Sequence, residues 1–208
     1  MATEVEKTLL EPYIGPVPFE TKDEALFFGR DGESDELLSL AVAHPVVLMY
    51  AQSGAGKTSL LNANLLPKLK KEGYDVLPTA RVQGTECGPR TNIYVFNTLM
   101  SWSDGAIPPA KLETMSLQGF LEGRIHQKNN VNWELPRFVT FDQFEELFTA
   151  YPQRWQERKD FFLQIRDALE KDYLLRVVRL NSERFPRFGY PALIQIAWTL
   201  QVAQNSML

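Results

Sequence analysis

Apolar positions along the chain form short continuous runs separated by amphipathic stretches. Pro45–Tyr50 (PVVLMY), Phe138–Phe141 (FVTF) and Leu174–Val178 (LLRVV) are such runs, the pattern of strands covered on both faces in a parallel sheet. Asp75–Val82 (DVLPTARV) reads as a fourth strand, weakened by Pro78, which cannot donate to a strand ladder. Between the runs, Thr58–Lys71 repeats apolar residues at Leu61, Leu65 and Leu69. Lys68, Lys70 and Lys71 suit the C-terminal end of a helix dipole, Gly73 marks a stop, and Pro67 predicts a kink or an early end. Tyr94–Trp102 and Gln153–Lys171 predict two more helices, the second with Phe162, Ile165 and Leu169 on one face. Breaks rich in Pro, Gly and Asn at 84–92, 104–109 and 129–136 read as loops. Strands alternating with helices predict an α/β fold, a three-layer α/β/α sandwich with a mostly parallel sheet.

Directly after the first run stands Ala51-Gln52-Ser53-Gly54-Ala55-Gly56-Lys57-Thr58. It follows the G-x-x-x-x-G-K-[ST] pattern of a phosphate-binding turn, with Ala51 in place of the first glycine. The setting is the one the chemistry needs, an apolar strand entering the turn and an amphipathic helix leaving it. Gly54 and Gly56 admit backbone conformations that a Cβ disfavours, so successive N–H groups can point inward as an anion nest. The start of the following helix adds a favourable dipole. Ser53, Gly54, Ala55, Gly56, Lys57, Thr58 and Ser59 are therefore the phosphate-binding candidates. Lys57 would reach the β- and γ-phosphates and Thr58 would hold Mg²⁺. The competing explanation is a glycine turn with a chance Lys-Thr, which the flanking strand and helix disfavour.

Such a site needs a second carboxylate near the metal, at the end of a neighbouring buried strand. Phe138-Val139-Thr140-Phe141-Asp142 supplies it. Asp142 would join Thr58 on Mg²⁺, and Glu145 and Glu146 are the catalytic candidates to orient or deprotonate an attacking water. Gln143, next to Asp142, can position water but is no base. Asp142-x-x-Glu145 also fits a helix-capping pattern, which is compatible with metal binding.

With two upstream stretches, these motifs resemble the NTPase domain of STAND proteins, within the broad AAA+/ATPase superfamily, and in particular the bacterial type called novel STAND NTPase 1. The upstream stretches are Pro12–Phe19 (PYIGPVPF) and Leu26–Glu33 (LFFGRDGE), the latter similar to an F-F-G-R-x-x-E element; Ala51–Leu61 and Phe141–Thr149 (FDQFEELFT) complete the set. The resemblance implies a P-loop NTPase core that binds ATP rather than GTP, with Mg²⁺, and hydrolyses it slowly as a switch. It places Phe28, Gly29 and Arg30 near the adenine and ribose; the residues alone fit an ordinary surface turn before a helix starting near Ser34. It also implies self-association or a partner protein in the nucleotide-bound state, and flanking sensor or effector regions. The chain divides into an entry segment 1–25, a core 26–178 and an atypical tail 179–208, where the likeness is expected to end and the sheet to be incomplete. Arg179 or Arg184 would then replace the sensor arginine, and the tail is expected to be foreign to the family.

Composition changes this picture little. With 22 Lys+Arg against 26 Asp+Glu, the net charge of −4 in 208 residues fits one mildly acidic domain. That balance, with no alternation of basic and aromatic residues, argues against nucleic acid. Cys87 stands alone, and two histidines, His44 and His126, leave little for a zinc site. Trp102, Trp133, Trp155 and Trp198 read as packing residues. Pro191–Ala203 is too short for a membrane span, which needs about 20 apolar residues, and the N-terminus lacks a signal-peptide core; the expected compartment is the cytoplasm. The charge is uneven: residues 1–44 carry ten acids and three bases, whereas 173–208 carry four arginines and one acid. Three functions compete: an Mg-ATP hydrolysing switch, a non-hydrolysing nucleotide-dependent interaction module, and a degenerate fragment that does not fold alone. No N-K-x-D element supports a GTPase, and the D-Q-F-E-E-L-F element argues against a small-molecule kinase.

Overall fold

The computed structural model describes residues 17–124, 127–172 and 175–182. Arg184, His126, Trp198 and the stretch Pro191–Ala203 lie outside the described residues. Four parallel strands, β1 (Val46–Ala51), β2 (Asp75–Val76), β3 (Arg137–Phe141) and β4 (Arg176–Ser182), form one sheet in the order β1-β4-β3-β2. The helices are α1 (Asp31–Ala43), α2 (Lys57–Leu60), α3 (Leu66–Lys71), α4 (Ile93–Ser103), α5 (Pro109–Leu112), α6 (Leu117–Gly123), α7 (Glu146–Thr149) and α8 (Glu157–Lys171).

Side chains alternate across a strand, and in β3 the two faces meet different partners. Phe138 belongs to a buried cluster with Leu37, Ala41, Val47, Leu60, Leu61 and Leu65. Its neighbour Val139 belongs to another, with Leu99, Phe161, Ile165 and Val177. The sheet is thus packed on both faces, the three-layer arrangement that the alternation of runs predicts. All five residues of β3 are buried. In β1, by contrast, Leu48 and Tyr50 are exposed, because β1 is an edge of the described sheet and only part of its apolar run meets a helix.

The helix after the turn neither ends nor breaks at Pro67. It passes from α2 through a π-helical segment, Leu61–Leu65, into α3. Proline lacks the N–H for an i→i−4 bond and its ring clashes with the i−4 carbonyl; the wider π turn placed just before it relieves both. Gly73 takes φ +86° beyond the last turn, the stop its position predicts.

Two strand predictions need correction. Asp75–Val82 pairs as a strand only over Asp75–Val76, since Pro78 interrupts the ladder. The backbone rejoins β3 at an isolated bridge between Ala80 and Phe141, where the Ala80 N–H donates to Thr140 O at 2.8 Å. The run ending at Val178 predicts either that Arg179 ends the strand early or that it points at the phosphate site; the strand does not end there, since β4 continues to Ser182, with Arg179 opposite Leu48 and Ser182 opposite Ala51. Pairing with the full length of β1 carries it across residue 178, the expected boundary between core and tail. Among the tryptophans, Trp102 is buried, but Trp133 and Trp155 are largely exposed and do not pack a core.

Candidate functional site

Parallel strands bring their C-terminal ends to one side of the sheet, the usual location of ligand sites in such folds. Here the turn after β1 and Asp142 after β3 lie on that side, with β4 between them. Two inter-strand spacings amount to about 10 Å, close enough for side chains from both ends to meet.

The turn has the geometry its glycines imply. Gly54 and Gly56 have φ +82° and +74°, the left-handed region that costs other residues about 1–2 kcal/mol. The Ala55 N–H donates to Gln52 O at 3.1 Å, and Gly56 O accepts the first helical bond, from Leu60 N, at 2.9 Å. Ser53, Gly54 and Ala55 are exposed. Lys57 Nζ folds back to donate to Ala51 O at 2.7 Å and Gln52 O at 3.0 Å. Both are neutral acceptors, which a phosphate outcompetes because a charge-assisted bond is stronger.

Arg30 braces the turn from outside. It pairs with Glu33, and its Nη1 donates to Ala55 O at 2.7 Å. Gly29, at φ +83°, turns the chain into α1, while Phe28 is exposed beside them. A Cβ on Gly56 would lie 3.0 Å from Arg30 Nη1. Gly56→Ala is therefore expected to cost about 1–2 kcal/mol through backbone strain and to push Arg30 off Ala55. Urea unfolding checks this, with Gly32→Ala as control: a Cβ there meets nothing within 4 Å, and the helix should gain stability instead.

The centre of the site is the Asp142 carboxylate, which is buried. The Thr58 hydroxyl reaches both its oxygens, at 3.2 and 3.0 Å, and the Gln143 N–H donates to Oδ1 at 2.9 Å. Gln143 takes φ +50°, strain held beside the candidate metal ligand. Asp142 is not a helix cap: α7 begins only at Glu146, with Glu145 in the cap position. Glu145 and Glu146 each bury one carboxylate oxygen, Oε2, that has no hydrogen-bond partner among the described residues. Burial holds the Glu146 carboxyl above its ordinary range; Arg81 draws it down, while Glu145 and Asp142 push it up.

Arg81, which the motif pattern does not indicate, completes the site. Its Nη2 lies 3.4 Å from Asp142 Oδ2. Ser59, a phosphate-binding candidate, uses its hydroxyl to accept the Phe19 N–H at 3.1 Å, so its side chain holds the entry segment against the helix. The Arg179 backbone sits in β4 between the two halves of the site. Among the described residues no three His, Cys, Asp or Glu side chains converge as a closed metal cage. The donor set of one hydroxyl and one buried carboxylate instead fits Mg²⁺, which keeps waters and shares its shell with phosphates. No helix among the described residues is long and apolar enough to cross a membrane.

The family comparison agrees with this geometry. The family model described as novel STAND NTPase 1 matches residues 12–207, running through the segment in which the likeness is expected to end. No curated protein matches. Among solved structures, the Aeropyrum pernix ORC2 protein (ADPNP–ADP complexes) aligns with TM-score 0.49 and 16% identity over 93% of this chain and 48% of that one. The chain thus spans about half the length of that structure. With the family match covering nearly every residue and the phosphate turn and acidic strand end folded together, the chain belongs to the novel STAND NTPase 1 family, a nucleotide-binding P-loop NTPase.

Proposed function

We propose that the protein binds ATP with Mg²⁺ and hydrolyses it slowly, as a switch module. The observation that carries this reading is the pairing of Thr58 with Asp142 across 84 residues of sequence. It brings a turn hydroxyl and a buried carboxylate to one point, as a metal shared with phosphate requires. Lys57 leaves Ala51 and Gln52 to take phosphate oxygens, and the backbone N–H groups from Ser53 to Ser59 cradle them. Thr58 and Asp142 would hold Mg²⁺, which when bound neutralises charge between the last two phosphates. Phe28, Gly29 and Arg30 flank the adenine and ribose; a cavity of about 280 Å³, lined in part by Arg30, Leu37 and Met49, opens on that side. Glu145 or Glu146 orients or deprotonates the attacking water. Burial raises the proton affinity of Glu146, which suits a general base. Nucleotide state would then govern self-association or the binding of a partner protein, in the cytoplasm, with no nucleic-acid or membrane partner.

Calorimetric titration with ATP, in Mg²⁺ and in EDTA, tests the site; heat of binding that is indifferent to Mg²⁺ would contradict it. Phosphate release under saturating Mg-ATP tests turnover. Glu146→Gln is expected to retain binding and lose release by about 10²–10⁴-fold, the usual contribution of a general base. One observation favours a second reading, a nucleotide-dependent interaction module without hydrolysis: Gln143, an amide, occupies the strained position beside Asp142. Binding with no phosphate release in the wild type would establish it.

A further inference from the structure

Among the described residues, Arg81 is the one cation whose guanidinium the structure places on Asp142, and neither motif accounts for it. Its backbone is fixed from several directions. The Arg81 N–H donates to Ser101 Oγ at 3.2 Å, and the preceding Ala80 N–H is bonded to β3. Beyond it, the Gly84 N–H donates to the Tyr151 hydroxyl at 3.0 Å and the Thr85 N–H to Asn97 Oδ1 at 2.7 Å. The side chain, by contrast, is 49% exposed, and its one ion pair among the described residues is the long contact, 3.4 Å, with Asp142. An anchored backbone carrying a loosely held, half-solvated guanidinium is a poor structural brace but a pre-positioned donor. Arg presents several N–H groups in a planar fork that matches phosphate.

The charge around it is unbalanced. Besides burial, Glu145 and Asp142 raise the proton affinity of Glu146, and Arg81 lowers it. A divalent cation arriving on Asp142 and Thr58 would repel Arg81 from that carboxylate. Thr58 lies in the turn that would cradle the phosphates, so a guanidinium freed from Asp142 would stand on the terminal-phosphate side of a bound triphosphate.

We propose that Arg81 is a specificity-determining residue that exchanges Asp142 for the terminal phosphate, and so lets the protein distinguish a nucleoside triphosphate from the diphosphate. This inference rests on the nucleotide-binding reading above. Its test is the ratio of ATP to ADP affinities in Mg²⁺, measured by calorimetry for the wild type, Arg81→Gln and Arg81→Lys, with the melting temperature of each ligand-free protein as a folding control. Arg81→Gln is expected to lose about tenfold in the ratio through ATP alone, the worth of one charge-assisted bond. Arg81→Lys keeps the charge without the fork and is expected to fall between. ATP and ADP affinities that drop together, or a ratio that does not change, would overturn the proposal. A wild type that binds neither nucleotide would overturn the nucleotide-binding reading and this inference with it; binding of both with an unaltered ratio in Arg81→Gln would sink the inference alone.

Discussion

Lys57→Ala is expected to weaken Mg-ATP binding by about a hundredfold or more. Lys57 stands at the first position of α2 with Nζ on two loop carbonyls, Ala51 O and Gln52 O. Those contacts hold the ammonium over the mouth of the turn at little cost in rotamer entropy. On loading, each neutral acceptor is replaced by a phosphate oxygen, and bonds between charged groups contribute about 1.5–3 kcal/mol each. Two of them correspond to a hundredfold or more at about 1.4 kcal/mol per decade. The fold should not suffer, because the side chain is only partly buried and its partners face solvent once it is gone. Calorimetry of the variant against the wild type, with a thermal melt of each, separates the two effects. Equal affinity in the two proteins would show that phosphate does not sit in this turn.

The candidate-site residues legible in the sequence are those whose chemistry is local. Gly54, Gly56, Lys57 and Thr58 lie within five consecutive positions, and the left-handed conformations of the two glycines follow from the turn itself. Asp142 is legible because it ends an apolar run, and a strand buried at every position leaves its C-terminal residue facing the ligand side. Arg81 is not. It is 61 residues from Asp142 and follows a segment that Pro78 makes ambiguous. Only the bridge between Ala80 and Phe141 sets the two side chains next to each other. The available signal is a cation directly after a strand-like run, which in a parallel sheet falls on the same side as the turn.

The fold divides in the same way. β1, β3, α4 and α8 follow from runs and periodicities several residues long. The short helices α5 and α6 have too few residues to show a period, and α6 depends on a cap, Ser116 Oγ accepting from Gly119 N at 3.0 Å. The end of β4 could not be read from its own residues, since Arg179 and Asn181 are unusual in a strand interior. The length of β1, its hydrogen-bonding partner, decides it.

Removing Asp75 is expected to cost the fold about 3–5 kcal/mol, the loss seen when a buried ion pair is broken from one side. Asp75 opens β2 directly opposite Arg137, which opens β3, at the end of the sheet away from the nucleotide turn. Both side chains are buried, Arg137 to within 1%. Arg137 Nε lies 3.5 Å from Asp75 Oδ2, its Nη1 donates to Leu121 O at 3.0 Å and approaches Asp172 Oδ2 at 3.5 Å, and Arg124 Nη2 reaches Asp75 Oδ1 at 3.2 Å. The cluster thereby joins two strand starts to the ends of α6 and α8. An arginine cannot escape burial by losing its proton. Asp75→Ala therefore leaves a guanidinium in the interior with less compensation, although Asp172 and Leu121 remain. The double variant Asp75→Leu/Arg137→Met removes both charges and replaces them with apolar groups, which often restores stability. Urea denaturation of the three proteins is expected to place the double variant well above Asp75→Ala and somewhat below the wild type, because Arg124 still loses Asp75. A domain of ordinary stability has only about 5–15 kcal/mol to lose, so the single variant should melt about 6–20 °C lower or fail to fold at all. An Asp75→Ala protein within about 1 kcal/mol of the wild type would mean that Asp172 and the Leu121 carbonyl alone satisfy Arg137.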